Sequence, residues 1–223
     1  MLLNMNNHVL GLLGLLGFTV AYIVLLVFCE ILNRKLKVDV EYTRKLSHIA
    51  AVFAALFFFP IVFINVGYAL ALAVLFFVLL VIANVQKWLP SVDGVDRKTG
   101  GSYFLAFGLG ATYFVSVLFE NPTAFKLALL IFAISDPLAG IVGAKWIKSK
   151  TIYGGKTIAG SLTFLLSALV ICLLVFYFEY GVPMTAFALM IALTATVAEL
   201  VSTRGTDNFT VPLIVAGMLI FFI

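Results

Sequence analysis

The chain has 223 residues and a formal net charge of +4, and 64% of its residues are hydrophobic whereas 11% are charged. Soluble domains contain about 45–50% apolar and about 25% charged residues. The composition therefore excludes a water-soluble globule and a disordered chain, and it predicts an all-α integral membrane protein. In such a protein the positive charge favours contact with anionic lipid or nucleotide and not with nucleic acid.

The apolar runs predict the membrane-spanning helices. A hydrocarbon core of about 30 Å requires roughly 20 helical residues. The runs of this kind, in chain order, are 9–32, 46–64, 66–85, 102–119, 123–144, 159–179 and 183–201. A final run, 210–223, covers only about 21 Å at 1.5 Å per residue. We therefore expect one multi-pass domain over 1–223, a bundle of seven transmembrane helices. Whether the final run forms a short eighth transmembrane helix is left open.

The basic residues predict the orientation of this bundle. If the helices alternate in direction, 13 of the 14 Lys and Arg residues fall on one side and only Lys126 on the other. The 13 are Arg34, Lys35, Lys37, Arg44, Lys45, Lys87, Arg97, Lys98, Lys145, Lys148, Lys150, Lys156 and Arg204. The positive-inside rule makes that side cytoplasmic and the N-terminus external. Its loops are the longer ones, so we expect the active site on the cytoplasmic face.

Two acidic residues lie within apolar runs, where a carboxylate is costly and indicates function. Asp136 precedes Pro137, which predicts a kink, and Glu199 lies near the inner end of the seventh run. Gly140 and Gly143 place a smooth helix face beside Asp136. This face suits close packing of a second helix or the approach of a phosphate, and the pattern leaves both interpretations open.

The loop that enters the sixth run combines glycine, lysine and hydroxyl side chains. Backbone N–H groups, a lysine charge and a helix N-terminus together favour a phosphate. The residues with these properties are Lys145, Lys148, Gly154, Gly155, Lys156, Thr157 and Ser161. The loop is not the phosphate loop of soluble NTPases, because that motif requires glycine where this chain has Lys150. A basic loop that holds lipid headgroups is the alternative.

A basic cluster lies where the second run begins. Arg44, Lys45 and His48 are spaced to share one helix face. They suit phosphate contact, and His48 suits proton transfer. A plain topology signal is the alternative.

The segment between the seventh and last runs contains Asp207 and Asn208. Their oxygens are hard donors of the kind that Mg²⁺ prefers. Together with Asp136 and Glu199 they bring carboxylates from separate segments to one face. An ordinary Asx turn with a helix cap is the alternative.

Taken in order, these motifs resemble the polyprenol kinase family, which includes dolichol kinase, phytol kinase and CTP-dependent diacylglycerol kinase. The matching stretches are 44–48, 135–143, 155–161, Glu199, 207–208 and 211–212. The resemblance implies a multi-helix membrane kinase that uses CTP and a divalent cation, Mg²⁺, to phosphorylate a lipid alcohol. The short chain is similar to the phytol-kinase-like members, which implies an isoprenoid alcohol such as phytol or geranylgeraniol.

The chemistry of these residues and the resemblance together predict their roles. Asp136, Glu199 and Asp207 would hold the metal, and Asp136, His48 and Lys156 would act in catalysis. The nucleotide and its phosphates would contact Arg44, Lys45, Gly140, Gly143, Lys145, Lys148, Gly154, Gly155, Lys156, Thr157, Ser161 and Asn208.

Other functions fit parts of the same pattern. A CTP-dependent diacylglycerol kinase or a phosphatidate cytidylyltransferase would need the same nucleotide, metal and membrane face. An ion or solute transporter would use Asp136 and Glu199 as a relay. The polar residues crowd the inner side, and the external loops are nearly bare, which disfavours transport. The pattern gives no oligomeric state.

Overall fold

The computed structural model describes residues 2–93, 100–145 and 150–223, and this part of the chain is almost entirely helical. The helices are α1 (Leu2–Arg34), α2 (Val40–Val62), α3 (Val66–Gln86), α4 (Pro90–Asp93), α5 (Gly101–Leu118), α6 (Pro122–Lys145), α7 (Ile158–Tyr180), α8 (Thr185–Val201) and α9 (Asp207–Phe222). This confirms the predicted all-α fold.

Six of these helices, α1, α2, α3, α5, α6 and α7, are long and apolar enough to cross a membrane. The apolar helices α8 and α9 have 17 and 16 residues, which cover about 25 Å and 24 Å at 1.5 Å per residue. The structure thus agrees with a multi-pass helical membrane protein. The external N-terminus and the cytoplasmic basic face stay predictions.

Polar caps set where the helices begin. Asp39 Oδ1 accepts a hydrogen bond of 2.8 Å from the Glu41 N–H at the start of α2. Asn65 Oδ1 accepts one of 3.0 Å from the Gly67 N–H at the start of α3. A capping side chain replaces the hydrogen-bond partner that the first helical N–H groups lack. For this reason α2 begins at residue 40, six residues before the apolar run that predicted it.

The chain forms two compact units, Met1–Phe114 and Val115–Ile223, called unit 1 and unit 2 below. In unit 1, α1 packs on α2 and α3, and the short α4 packs on α1 and α2. A Cβ at Gly14 would lie 2.0 Å from Val62 Cγ1, so glycine lets α1 and α2 approach closely. The prediction of one multi-pass domain is not tested by this division.

In unit 2 the four helices α6 to α9 form a closed ring in which α9 packs back on α6. α6 runs without a break through Pro137, and the kink predicted there stays a prediction. Lys126, near the start of α6, forms an ion pair with Glu179, near the end of α7. Residues 150–157, which lead into α7, therefore lie at the opposite end of this helix pair. Fully buried side chains at the centre include Leu127, Ile131, Phe132 and Phe164.

Candidate active site

A tight hairpin, residues 150–158, leads into α7. The Ile152 N–H donates to the Lys156 carbonyl at 2.8 Å, and Thr151 pairs with Thr157 in an antiparallel bridge. Such pairing requires the chain to reverse within a few residues. The hairpin therefore carries Lys156 back toward the start of α7.

Two glycines make this reversal. The Lys156 N–H donates to the Tyr153 carbonyl at 2.9 Å, and φ is +57° at Gly154 and +84° at Gly155. Positive φ at both central positions is the signature of a type I′ turn, which favours glycine. The glycine pair is thus explained by the turn that positions Lys156.

The start of α7 is held by a close crossing with α6. Thr157 Oγ1 caps α7 by accepting from the Gly160 N–H at 3.1 Å. A Cβ at Gly143 would lie 2.8 Å from Thr157 Oγ1, and one at Gly160 would lie 3.0 Å from the Ala139 carbonyl oxygen. Helix packing therefore explains the small residue at Gly143, one of the two interpretations that the sequence left open.

A second turn of the same kind precedes α9. The Thr206 N–H donates to the Thr203 carbonyl at 3.1 Å, and φ is +56° at Arg204 and +86° at Gly205. The two turns touch, because a Cβ at Gly154 would lie 2.9 Å from Thr203 Cγ2. Neither Thr203 nor Arg204 is among the predicted site residues. The signal that could have drawn attention to them is the Arg-Gly pair, a turn signal just before Asp207.

The Lys156 cluster, defined as Lys156, Glu199, Asp207 and Asp136, forms beside these turns. Lys156 Nζ lies 2.6 Å from Glu199 Oε1 and 2.8 Å from Asp207 Oδ2. The Glu199 and Asp207 side chains are only 5% and 14% exposed. The half-buried Asp136 is close enough to act electrostatically on Lys156. The fold thus brings together charged residues from α6, the hairpin, α8 and α9.

The charges of the cluster act on the pKa of Lys156, which lies outside the membrane-spanning segments. Burial alone lowers this pKa, but the carboxylates of Asp207, Glu199 and Asp136 outweigh burial and raise it well above its ordinary value of 10.5. A raised pKa in the folded state means that the ion pairs stabilise the fold fully below the unfolded-state pKa. This contribution is lost as the pH rises through the folded-state pKa. Lys156 therefore stays protonated throughout the neutral range.

The cluster has features that suit a further cation. Three carboxylates face one ammonium group, and Glu199 Oε2 is buried with no hydrogen-bond partner in the part of the chain that the structure describes. A buried carboxylate oxygen without a partner is unfavourable until a donor or cation reaches it. Within residues 2–93, 100–145 and 150–223, no group of three or more His, Cys, Asp or Glu is arranged to hold a metal by itself. Mg²⁺ commonly uses one or two carboxylates together with substrate phosphates and water, which is the arrangement that this cluster fits.

The other predicted residues of unit 2 lie in several places. Gly140 is exposed on α6, one turn after Asp136. The Asn208 N–H donates to Asp207 Oδ1 at 3.1 Å. Ser161 is buried in the first turn of α7. Lys145 ends α6, and Lys148 lies outside the described residues.

The predicted basic cluster belongs to unit 1. Arg44, Lys45 and His48 lie in the first turns of α2 with the helical spacing that was predicted. Arg44 Nη2 lies 3.0 Å from Glu41 Oε2, and Lys45 and His48 are half-buried. Phosphate contact by this cluster and proton transfer by His48 stay predictions.

The hairpin turn offers a matched pair of substitutions. Gly155→Asn is expected to be tolerated, because asparagine adopts left-handed φ readily and a Cβ there meets nothing within 4 Å. Gly154→Asn is expected to lower stability by about 1–3 kcal/mol, because its Cβ would press on Thr203. Thermal unfolding in detergent measures the difference. Equal melting temperatures for the two variants would show that the two turns do not pack together.

Comparison with known proteins adds three relatives. The chain is 29% identical over 192 residues to a phytol kinase of Synechocystis sp., across 82% of this chain and 80% of the relative. It is 32% identical over 197 residues to an uncharacterized protein of Rickettsia prowazekii, across 78% of this chain and 91% of the relative. It is 38% identical over 117 residues to an uncharacterized protein of Methanocaldococcus jannaschii, across 49% of this chain and 56% of the relative. No protein-family model and no solved structure matches significantly.

The first two of these similarities extend over most of the chain. The alignment with the Rickettsia protein covers nearly all of that relative, and the alignment with the phytol kinase covers four fifths of both chains. The similarity to the phytol kinase supports a phytol-kinase-like family, in agreement with the resemblance that the motifs show. The chain therefore belongs to the same family as the Rickettsia protein, and it is similar to a phytol kinase.

Proposed function

We propose that this chain is a membrane-bound lipid-alcohol kinase. It transfers the γ-phosphoryl group of CTP, or of a related nucleotide, to the hydroxyl of an isoprenoid alcohol such as phytol, geranylgeraniol or dolichol. The observation that carries the proposal is the Lys156 ammonium group held between Glu199 and Asp207. The relative named phytol kinase supports the acceptor class.

A site for phosphoryl transfer must neutralise the negative charge of the nucleotide phosphates. Phosphoryl transfer requires mostly positioning and stabilisation of negative charge. The always-protonated Lys156 supplies a positive charge at a position that the hairpin and its two glycines hold in place. Thr157 and the start of α7 follow directly, and the positive end of a helix dipole favours phosphate oxygens. The hairpin is thus suited to bind the phosphates of the nucleotide.

The carboxylates are suited to hold Mg²⁺. Glu199 and Asp207 would bind it together with phosphate oxygens and water, and Glu199 Oε2 has no hydrogen-bond partner among the described residues, so a cation there would stabilise it. When bound, Mg²⁺ supplies further neutralisation of the phosphate charge.

The transfer itself forms a bond between the acceptor oxygen and the γ-phosphorus and breaks the bond between that phosphorus and the β–γ bridging oxygen, so that CDP leaves. The hydroxyl proton passes to a general base. Asp136 is suited to this role because it is half-buried and the exposed Gly140 leaves its helix face open.

The proposal is tested with purified protein, Mg²⁺ and CTP labelled at the γ or the α phosphate. The acceptors are phytol, geranylgeraniol, dolichol and diacylglycerol. We expect label from γ-labelled CTP on phytol or geranylgeraniol and none from α-labelled CTP. Transfer of the α label would indicate a cytidylyltransferase. Flux of ions or solutes through proteoliposomes with no use of nucleotide would indicate a transporter.

A further inference from the structure

A cavity of about 460 Å³ lies within unit 1, bounded by α1, α2, α3 and α5. None of its 19 lining residues is charged, and Tyr22 is the only one with a polar side-chain atom. Ligand pockets typically enclose about 300–1,000 Å³, whereas packed interiors contain few voids larger than a water molecule. The cavity therefore has the size of a ligand site and the chemistry of a hydrocarbon.

Small side chains make the walls of this cavity. One face of α1 and one face of α2 present glycine and alanine where larger residues would fill the space. These residues are Gly14, Gly17, Ala21, Ala51, Ala54 and Ala55. The lining extends along α1 from Gly14 to Leu25, about 17 Å at 1.5 Å per residue. This is more than half of a hydrocarbon core of about 30 Å, so the cavity suits a long chain.

Helix α1, which forms one wall of the cavity, is largely exposed. Only 11% of the most apolar stretch of α1 is buried within the protein. Val20 and Val24, which do not line the cavity, are each 61% exposed. Most of α1 therefore faces outward, toward lipid in a membrane. The cavity is itself partly open, so a ligand that is a membrane lipid can reach it from the bilayer without passing through water.

We propose that this cavity binds the hydrocarbon chain of an isoprenoid alcohol of the length of phytol or geranylgeraniol. The inference rests on the proposed function, and it assigns the acceptor chain to unit 1. Water is disfavoured because the walls offer it almost no polar partner. A peptide segment is disfavoured because its backbone groups would lack hydrogen bonds. A methyl-branched chain fits between the small side chains, and the much longer chain of dolichol exceeds the cavity.

The test uses a glycine that the structure leaves open. Gly17 lines the cavity, and a Cβ there meets nothing within 4 Å, so Gly17→Leu adds a side chain at the cavity wall that starts in open space. Leucine also favours the helix more than glycine does. Gly217→Leu is the matched control, since a Cβ at this glycine of α9 also meets nothing within 4 Å. Each variant is incubated in lipid nanodiscs with a diazirine analogue of geranylgeraniol, and the labelled residues are found by mass spectrometry. No nucleotide is added.

We expect the unsubstituted chain and Gly217→Leu to be labelled at cavity residues of α1 and α2. Free phytol should compete with the probe and reduce this labelling. Gly17→Leu should lose about tenfold in labelling, because a leucine side chain in the cavity displaces part of the bound hydrocarbon chain. Equal labelling of Gly17→Leu, labelling only at outward residues such as Val20, or equal competition by phospholipid would overturn the inference.

Cavity labelling in a protein that transfers no phosphate from CTP would contradict the proposed function alone, whereas transfer without cavity labelling would contradict the inference alone.

Discussion

Lys156→Met is expected to lower phosphoryl transfer by about 10²–10³-fold, the usual effect of removing one group that stabilises developing charge. Methionine has a similar length but no charge, so neither the phosphates nor the two carboxylates at 2.6 and 2.8 Å retain their cation. Loss of one partner from a buried ion pair also lowers stability by about 3–5 kcal/mol. The measurements are the rate of transfer from γ-labelled CTP and the melting temperature in detergent.

The control is Lys126→Met. Lys126 also pairs with a glutamate, Glu179, but its side chain is 47% exposed. Exposed ion pairs contribute about 0–1 kcal/mol, so this variant should keep its melting temperature and its activity. If Lys156→Met folded normally and retained more than about half of the activity, the Lys156 cluster would not be the phosphate site.

Glu199→Gln is expected to lower turnover by about 10²-fold and to raise the Mg²⁺ concentration that gives half-maximal activity. Glutamine has the same shape but lacks the negative charge. Its amide can still accept from Lys156 at the position of Oε1, whereas the buried Oε2 position loses its ability to bind a cation. Activity measured across a Mg²⁺ titration, and binding of Mn²⁺ followed by electron paramagnetic resonance, give two separate readings.

Glu179→Gln is the matched control, because it removes a glutamate from a second lysine pair of unit 2, the pair with Lys126. It should leave both the Mg²⁺ requirement and turnover unchanged. An unaltered Mg²⁺ requirement in Glu199→Gln would remove Glu199 from the metal site. The same loss in both variants would indicate a general effect of helix packing.

The apolar runs of the sequence were sufficient to predict the long helices, but not the four-residue α4, which has no such run. Backbone groups in lipid must be hydrogen-bonded within the segment, so long apolar runs can only be helices here. The helix ends were less predictable, because a cap and not hydropathy decides them. α2 begins after Asp39, and α9 begins at Asp207 and not at residue 210, since the 203–206 turn leads straight into it.

The sequence also singled out Asp136, Lys156, Glu199 and Asp207. Charged residues and glycine turns stand out in a chain with only 11% charged residues. The individual roles of the glycines could not be assigned in this way. Gly143 packs against the cap of α7, and Gly154 touches Thr203, and both facts depend on contacts between segments far apart in the chain.

Composition and residue order alone thus determined that the chain is a helical membrane protein with charged groups concentrated in a few loops, because hydrophobic length and local turn chemistry are properties of neighbouring residues. Only the tertiary structure decided that Lys156 meets Glu199, 43 residues away, and that residues of four helices in unit 1 line an apolar cavity. Such features arise from the packing of helices on one another, which no periodicity within a single helix encodes.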